Sequence, residues 1–199
     1  MIPALDSPIQ DIVVFALIAY VLGSIPFGLL LTTWMDLGNL REIGSGNIGA
    51  TNVLRTGHKS VAALTLVLDS AKGALAVVLA RQFSAEDTIQ IAALFALLGH
   101  CFPIWLNFHG GKGVATFLGI WLVYAWPIGL ACCAAWAGAA VITRISSLSA
   151  IIAVTLSIIF IILFHTDNAM VLCIVMAALI VFRHKTNLIR LMNGSEPKM

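Results

Sequence analysis

Apolar runs of about 18 to 25 residues recur along this chain, the length a helix needs to cross a hydrocarbon core roughly 30 Å thick. In lipid the backbone must satisfy its own polar groups, so segments of that kind have to be helices. Composition removes the water-soluble alternative. Of 199 residues, 60% are hydrophobic and 10% charged, whereas a soluble domain carries roughly a quarter charged residues. So few charges cannot give a domain of this size a polar surface, and the same arithmetic excludes a disordered chain. The expected class is all-α, a polytopic membrane protein with one integral-membrane domain over residues 1–199. Asp6 and Asp11, with no Lys or Arg, precede the first apolar run. That is the wrong flank for a secretory signal peptide, so residues 12–35 are expected to remain as the first span.

Spans are expected over residues 12–33, interrupted near Pro26 and Gly28, then over 61–80 and 89–105. The run 114–141 is too long for one span and is punctuated by Trp126 and Pro127, so it divides, with a first helix over 114–124 only about 17 Å long at 1.5 Å per residue. Residues 148–164 and 170–182 complete the set. The count is seven, with six as the alternative.

Seven spans place the termini on opposite sides, and basic residues favour the cytoplasm. With the N-terminus outside, the inner segments hold Arg41, Arg55, Lys59, Lys112, Arg144, Arg183, Lys185, Arg190 and Lys198, nine of the eleven Lys and Arg. The outer segments hold Arg81 alone among basic residues, while Asp6, Asp11, Glu86, Asp87 and Asp167 lie outside. The polar stretches 41–59, 109–113 and 183–194 then share the cytoplasmic face, with the C-terminus beside them.

These stretches carry anion-binding chemistry. Between Arg41 and Arg55 lie Gly44, Ser45, Gly46, Asn47, Gly49, Thr51 and Asn52. Glycines permit positive φ and close approach of backbone N–H groups, the polar side chains add hydrogen bonds, and Arg55 can grip a phosphate through two donors. The glycines satisfy GxGxxG, but no strand precedes them, so a dinucleotide fold does not follow. Composition alone also fits a plain loop entering the second span. Gly110, Gly111, Lys112 and Gly113 stand just before a helix, whose N-terminus suits phosphate. The spacing is not that of a Walker A loop, and Lys112 also fits an interfacial snorkelling lysine. Arg183, His184 and Asn187 can share one helical face, or simply meet anionic lipid. Asp69 and Lys72, three residues apart inside a span, form either a functional or a structural ion pair.

Taken together, Gly44 to Asn52, Gly99-His100 with Pro103, Gly110 to Thr116, and Arg183-His184 with Asn187 resemble the three motifs of the bacterial acyl-phosphate:glycerol-3-phosphate acyltransferase family. The match runs in order along almost the whole chain. It implies a seven-helix inner-membrane enzyme that transfers an acyl group from acyl phosphate to the sn-1 hydroxyl of glycerol 3-phosphate, giving lysophosphatidic acid for phospholipid synthesis. By position it implies Ser45 and His184 as catalytic residues. Asn47, Thr51, Asn52, Arg55, Gly110, Gly111, Lys112, Gly113, Ser147 and Asn187 follow as substrate and phosphate ligands. His109 stands where the family usually has Lys or Arg.

The residues fit that chemistry on their own terms. Two phosphate-bearing substrates need two anion subsites. An acyl phosphate is already an activated anhydride, so proximity and oxyanion stabilisation suffice without a covalent nucleophile. Metal-ligand spacing and a Ser-His-Asp constellation are both missing from the sequence, and no cofactor is expected. Cys101, Cys132, Cys133 and Cys173 read as packing thiols. The net charge of +2, without a basic stripe, excludes a nucleic-acid partner. Membrane lipid is the expected surrounding, and the sequence leaves the oligomeric state open. An organophosphate transporter should show paired repeats, which this chain lacks. Acyl-thioester enzymes carry HxxxxD, and no histidine here has Asp five positions later.

Overall fold

The computed structural model describes residues 2–199, and every regular element among them is helical. Helices α1 (Ile9–Gly23) and α2 (Phe27–Trp34) form one apolar stretch of 26 residues broken at 24–26, where Pro26 lacks the N–H a continuous helix needs. An irregular segment over 36–49 leads into the short α3 (Ala50–Leu54), followed by α4 (Lys59–Phe83) and α5 (Glu86–Cys101). A single 3-10 turn, Ile104–Leu106, precedes α6 (Val114–Tyr124). Helices α7 (Trp126–Thr143), α8 (Ser146–Leu163), α9 (Met170–Arg183) and α10 (Lys185–Met192) complete the chain.

Five of these stretches are long and apolar enough to cross a membrane, namely Ile9–Trp34, Lys59–Phe83, Glu86–Leu106, Trp126–Thr143 and Ser146–Leu163. The bent pair α9 and α10 makes a sixth if counted as one. The expected seventh rests on α6, whose limits fall where the sequence puts them. Gly113 opens it at a φ of 87°. Its far end is closed by Arg81, which donates to the carbonyls of Val123 and Tyr124 at 2.9 and 3.0 Å, just before Pro127 starts α7. One expectation is corrected. The last span does not run straight through 183–190 but turns by 62° at His184, so Arg183 no longer shares a helical face with His184 and Asn187.

The bundle closes through small residues, as helices in lipid tend to do. Where α1 meets α5, Gly23 lies against the Ala96 carbonyl and Gly99 against that of Tyr20. Where α4 meets α6, Gly73 faces the Thr116 carbonyl and Gly119 that of Ser70. A methyl group at any of the four would overlap backbone, so these glycines set the interaxial distance. Phe117, Ile120, Trp121, Leu97, Ile128 and Ile180 fill the buried interior, while Leu17, Val67, Ile162 and Val141 project outward, the arrangement of a protein solvated by lipid rather than water.

Because the α4–α6 contact is backbone to backbone, Gly119→Leu is expected to cost about 3 kcal/mol or more through overpacking, read as loss of the monodisperse peak and a lowered melting temperature in detergent. Gly138, with nothing within 4 Å of an added Cβ, should accept leucine with no change.

Candidate functional site

At one end of the bundle a cavity of about 320 Å³ is lined by residues from three polar stretches and from α8. Its polar lining includes Ser45, Asn47, Thr51, Asn52, Arg55, Lys112, Gly113, Ser147, His184 and Asn187, joined by Asp69, His100 and Ser146 and by Glu196 from the C-terminal tail. Leu66, Val114, Leu118, Cys133, Trp136 and Ala150 form an apolar wall, and Leu66 is half exposed on the outer surface. Ten of the twelve residues picked out from the sequence therefore meet in one cavity.

The first stretch is organised by Asn52, which is buried at the start of the bundle core. Its amide donates to the carbonyls of Leu40 and Ile43, both at 3.0 Å. Its Oδ1 accepts from the Ser45 N–H at 3.1 Å, the Ser45 hydroxyl at 3.3 Å and Arg55 Nη1 at 3.1 Å. Asn52 spends its hydrogen bonds holding the loop, so Ser45 and Arg55 are the groups it presents. Gly44 and Gly46 sit at φ of 53° and 66°, turns that side-chain-bearing residues rarely adopt. Thr51 is tied to Ser146 of α8 at 3.0 Å.

The glycine loop is braced from both sides. The Gly110 and Gly111 N–H groups donate to the carbonyls of Cys101 and His100 at 3.1 and 3.0 Å. Their carbonyls accept from Arg183 Nη2 and Nε at 2.9 and 3.1 Å, and the guanidinium stacks 5.0 Å from the Phe102 ring centroid. The N–H groups of these two glycines are thus committed to the protein, and Gly111 does not line the cavity. The loop offers the ammonium of Lys112 and the start of α6 instead.

Lys112 reaches Asn187 Oδ1, and Asn187 Nδ2 donates to Glu196 Oε1 at 2.5 Å. Ser147 Oγ donates to the same oxygen at 2.7 Å, and Arg190 Nε to Glu196 Oε2 at 2.6 Å. Burial alone would raise Glu196, but the hydrogen bonds from Ser147, Asn187 and Arg190 outweigh it and hold the carboxyl below its usual range. Burial pushes the Lys112 ammonium down to about 8. The His184 imidazole is pushed down to about 4, chiefly by burial. Its Nδ1 lies 2.8 Å from the Ile180 carbonyl. A carbonyl only accepts, so Nδ1 carries the proton and Nε2 is a free acceptor.

A second cavity of about 240 Å³ adjoins the first, sharing Ser45, Asn47 and Lys112 and adding Arg41, Gly110, Arg183, Lys185 and Thr186. Arg41 donates to the carbonyl of His109, so a cation is present at that edge although position 109 is histidine. Sequence reasoning missed Glu196 and Arg190 as neighbours of the site and named His100 within a motif without giving it a role. A lone carboxylate in a basic tail was the available signal for Glu196. Only the fold brings His100 beneath the loop.

Residues 13–194 match the family model for glycerol-3-phosphate acyltransferases. The glycerol-3-phosphate acyltransferase of Ruegeria pomeroyi is 55% identical over 197 residues, covering 99% of this chain and 97% of that one. That of Jannaschia sp. is 53% identical over 199 residues, with 100% and 98% covered. Among solved structures the chain is similar to PlsY, an integral membrane glycerol 3-phosphate acyltransferase, in its glycerol 3-phosphate form, with a TM-score of 0.90 and 34% identity over 94% of this chain and 95% of that one. The lysophosphatidic acid form of PlsY gives 0.87 and 33% over the same shares. With sequence, family model and fold agreeing over nearly the full length, the chain belongs to the glycerol-3-phosphate acyltransferase family of integral membrane enzymes.

Proposed function

We propose that the protein transfers an acyl group from acyl phosphate to the sn-1 hydroxyl of glycerol 3-phosphate, releasing lysophosphatidic acid and inorganic phosphate on the cytoplasmic face of the bacterial inner membrane. The observation that carries this reading is a single cavity in which two cations from different loops, Arg55 and Lys112, converge opposite an apolar wall that runs out to Leu66. Such a site suits one small phosphate monoester and one phosphate carrying a hydrocarbon tail. The partition of nine of eleven basic residues supports the cytoplasmic placement, and so does the meeting of stretches 41–59, 109–113 and 183–194 at one end of the bundle.

In this mechanism the glycerol hydroxyl oxygen bonds to the acyl carbon, the bond from that carbon to the phosphate oxygen breaks, and the hydroxyl proton must go to a base. The Ser45 hydroxyl is hydrogen-bonded to Asn52 rather than to an imidazole, which suits an orienting role over nucleophilic attack. His184 is neutral with a weakly basic Nε2. The departing phosphate has a second pKa near 6 and lies at the reacting carbon, so it is the better proton acceptor. His184 accepts a hydrogen bond from the hydroxyl and aims it. Arg55, Lys112 and the start of α6 hold phosphate charge, with Asn47, Ser147 and Asn187 filling in hydrogen bonds.

The donor is tested with purified protein and glycerol 3-phosphate. Lysophosphatidic acid is expected from acyl phosphate, and product formed only from acyl-CoA or acyl-carrier protein would overturn the assignment.

A pH profile checks Lys112. The charged form binds phosphate and dominates below its depressed pKa, so kcat/KM for glycerol 3-phosphate should fall as pH rises through about 8. Lys112→Arg, which stays charged throughout, should lack this alkaline limb.

His184→Gln can place an acceptor oxygen near the Nε2 position, and it is expected to keep at least about tenfold more kcat than His184→Ala. A glutamine variant as inactive as alanine, in folded protein that still binds glycerol 3-phosphate, would make His184 the base, a role typically worth about 10²- to 10⁴-fold.

A further inference from the structure

Three ionisable side chains within the bundle take no part in the mechanism above, although two of them, Asp69 and His100, line the larger cavity. Asp69 and Lys72 on α4 and His100 on α5 are all about 95% buried or more. Lys72 Nζ sits 2.7 Å from Asp69 Oδ1 and donates to the Ile25 carbonyl at 2.8 Å, an oxygen at the break between α1 and α2 that also accepts the Phe27 N–H at 3.2 Å. His100 Nδ1 lies 3.7 Å from the same Asp69 oxygen and has no hydrogen-bond partner among the described residues. The opposite edge of the ring, at Nε2, lies under Gly111, where an added Cβ would overlap it. The carbonyl of His100 accepts the Gly111 N–H at 3.0 Å. One turn of α4 also anchors the start of α6, because the Asp69 carbonyl accepts from Thr116 Oγ1 at 2.9 Å.

We propose that Asp69, Lys72 and His100 form a positioning device for the glycine loop, with the His100 ring as the floor on which Gly111 rests and the Asp69–Lys72 pair as the charge that fixes the ring. A buried ion pair is a weak way to gain stability, since apolar residues of similar volume often do as well, and polar groups inside a membrane protein tend to mark function. Here the pair does something an apolar pair cannot. It sets a carboxylate oxygen 3.7 Å from Nδ1 of the imidazole, a contact between charge and ring dipole rather than a hydrogen bond, and joins the broken first span to the loop that carries Lys112. The proposal rests on the reading that this loop binds the phosphate of glycerol 3-phosphate. A loop displaced by about 1 Å misplaces Lys112 and can cost up to about 100-fold in rate.

The test is a double-mutant cycle on full-length protein in detergent, with KM for each substrate, kcat and melting temperature measured. Gly111→Ala is expected to raise KM for glycerol 3-phosphate by about tenfold or more, because its methyl pushes against the ring, while KM for acyl phosphate changes less than about twofold. In the His100→Ala background, where the ring is gone, the same substitution should add almost nothing, whereas independent sites would be additive. His100→Asn, which keeps a polar group of intermediate size facing Asp69 and Gly111, should recover part of the loss of His100→Ala. Asp69→Asn with Lys72→Met, a neutral pair of similar volume, should fold and still show the selective rise in KM. An additive cycle, or a neutral pair with unchanged KM, overturns the inference. Lys112→Ala with unchanged KM for glycerol 3-phosphate overturns the site reading instead, since the cycle reports the contact between positions 100 and 111 whichever ligand the loop takes.

Discussion

A backbone group inside a bilayer has no water to turn to, and each interruption of a helix leaves such groups exposed. This chain interrupts its helices repeatedly near the site, and polar side chains meet several of the interruptions. At the first, Trp105 Nε1 donates to the Ser24 carbonyl at 2.7 Å and Lys72 to that of Ile25. After α5, Tyr20 donates to the Phe102 carbonyl at 2.7 Å, and Arg183 takes the carbonyls of Gly110 and Gly111. At the other end of α6, away from the site, Arg81 takes the carbonyls of Val123 and Tyr124. The scarce polar residues of an apolar sequence are therefore concentrated where the backbone is irregular, and irregular backbone is what lets loops dip in from the surface to form a cavity.

The same constraint explains the division of labour within the motifs. Asn52, Arg183 and the two glycines at 110 and 111 are consumed in holding loop shape, which frees Ser45, Arg55, Lys112 and His184 to face the cavity. A buried charge is costly unless it is paired and hydrogen-bonded. Lys112 meets this cost by leaning on Asn187 and on the carboxylate network of Glu196.

Helix positions were legible because hydrophobic length and Pro or Gly punctuation act locally. The limits of α6, set by Gly113 and Pro127, coincide with those read from the sequence. Nine of the cavity's residues were legible as clusters of phosphate-binding chemistry in otherwise apolar surroundings, and Ser147 only through the family resemblance. The bend at His184 was not, since the run Arg183 to Arg190 contains no Pro or Gly and reads as plain helix. Nor were the partners of Glu196 and His100, because those contacts cross 49 residues in the case of Ser147 and depend on how helices pack. Whether Gly111 meets a ligand or the protein is likewise decided by tertiary hydrogen bonds that no local pattern encodes.

The larger cavity reaches the lipid-facing surface at Leu66, while through Ser45, Asn47 and Lys112 it communicates with a cation-lined second cavity at the loop end. For the transfer proposed above, the two products belong to different phases: one gains a hydrocarbon tail, the other is a small hydrated anion. On that proposal each would have its own exit, sideways into the bilayer or outward to water. Accumulation of lipid in the membrane then does not obstruct the departure of phosphate, and the acyl chain passes from donor to product without crossing an aqueous compartment. A site so placed would work as a boundary between two solvents, and their immiscibility would sort what leaves it.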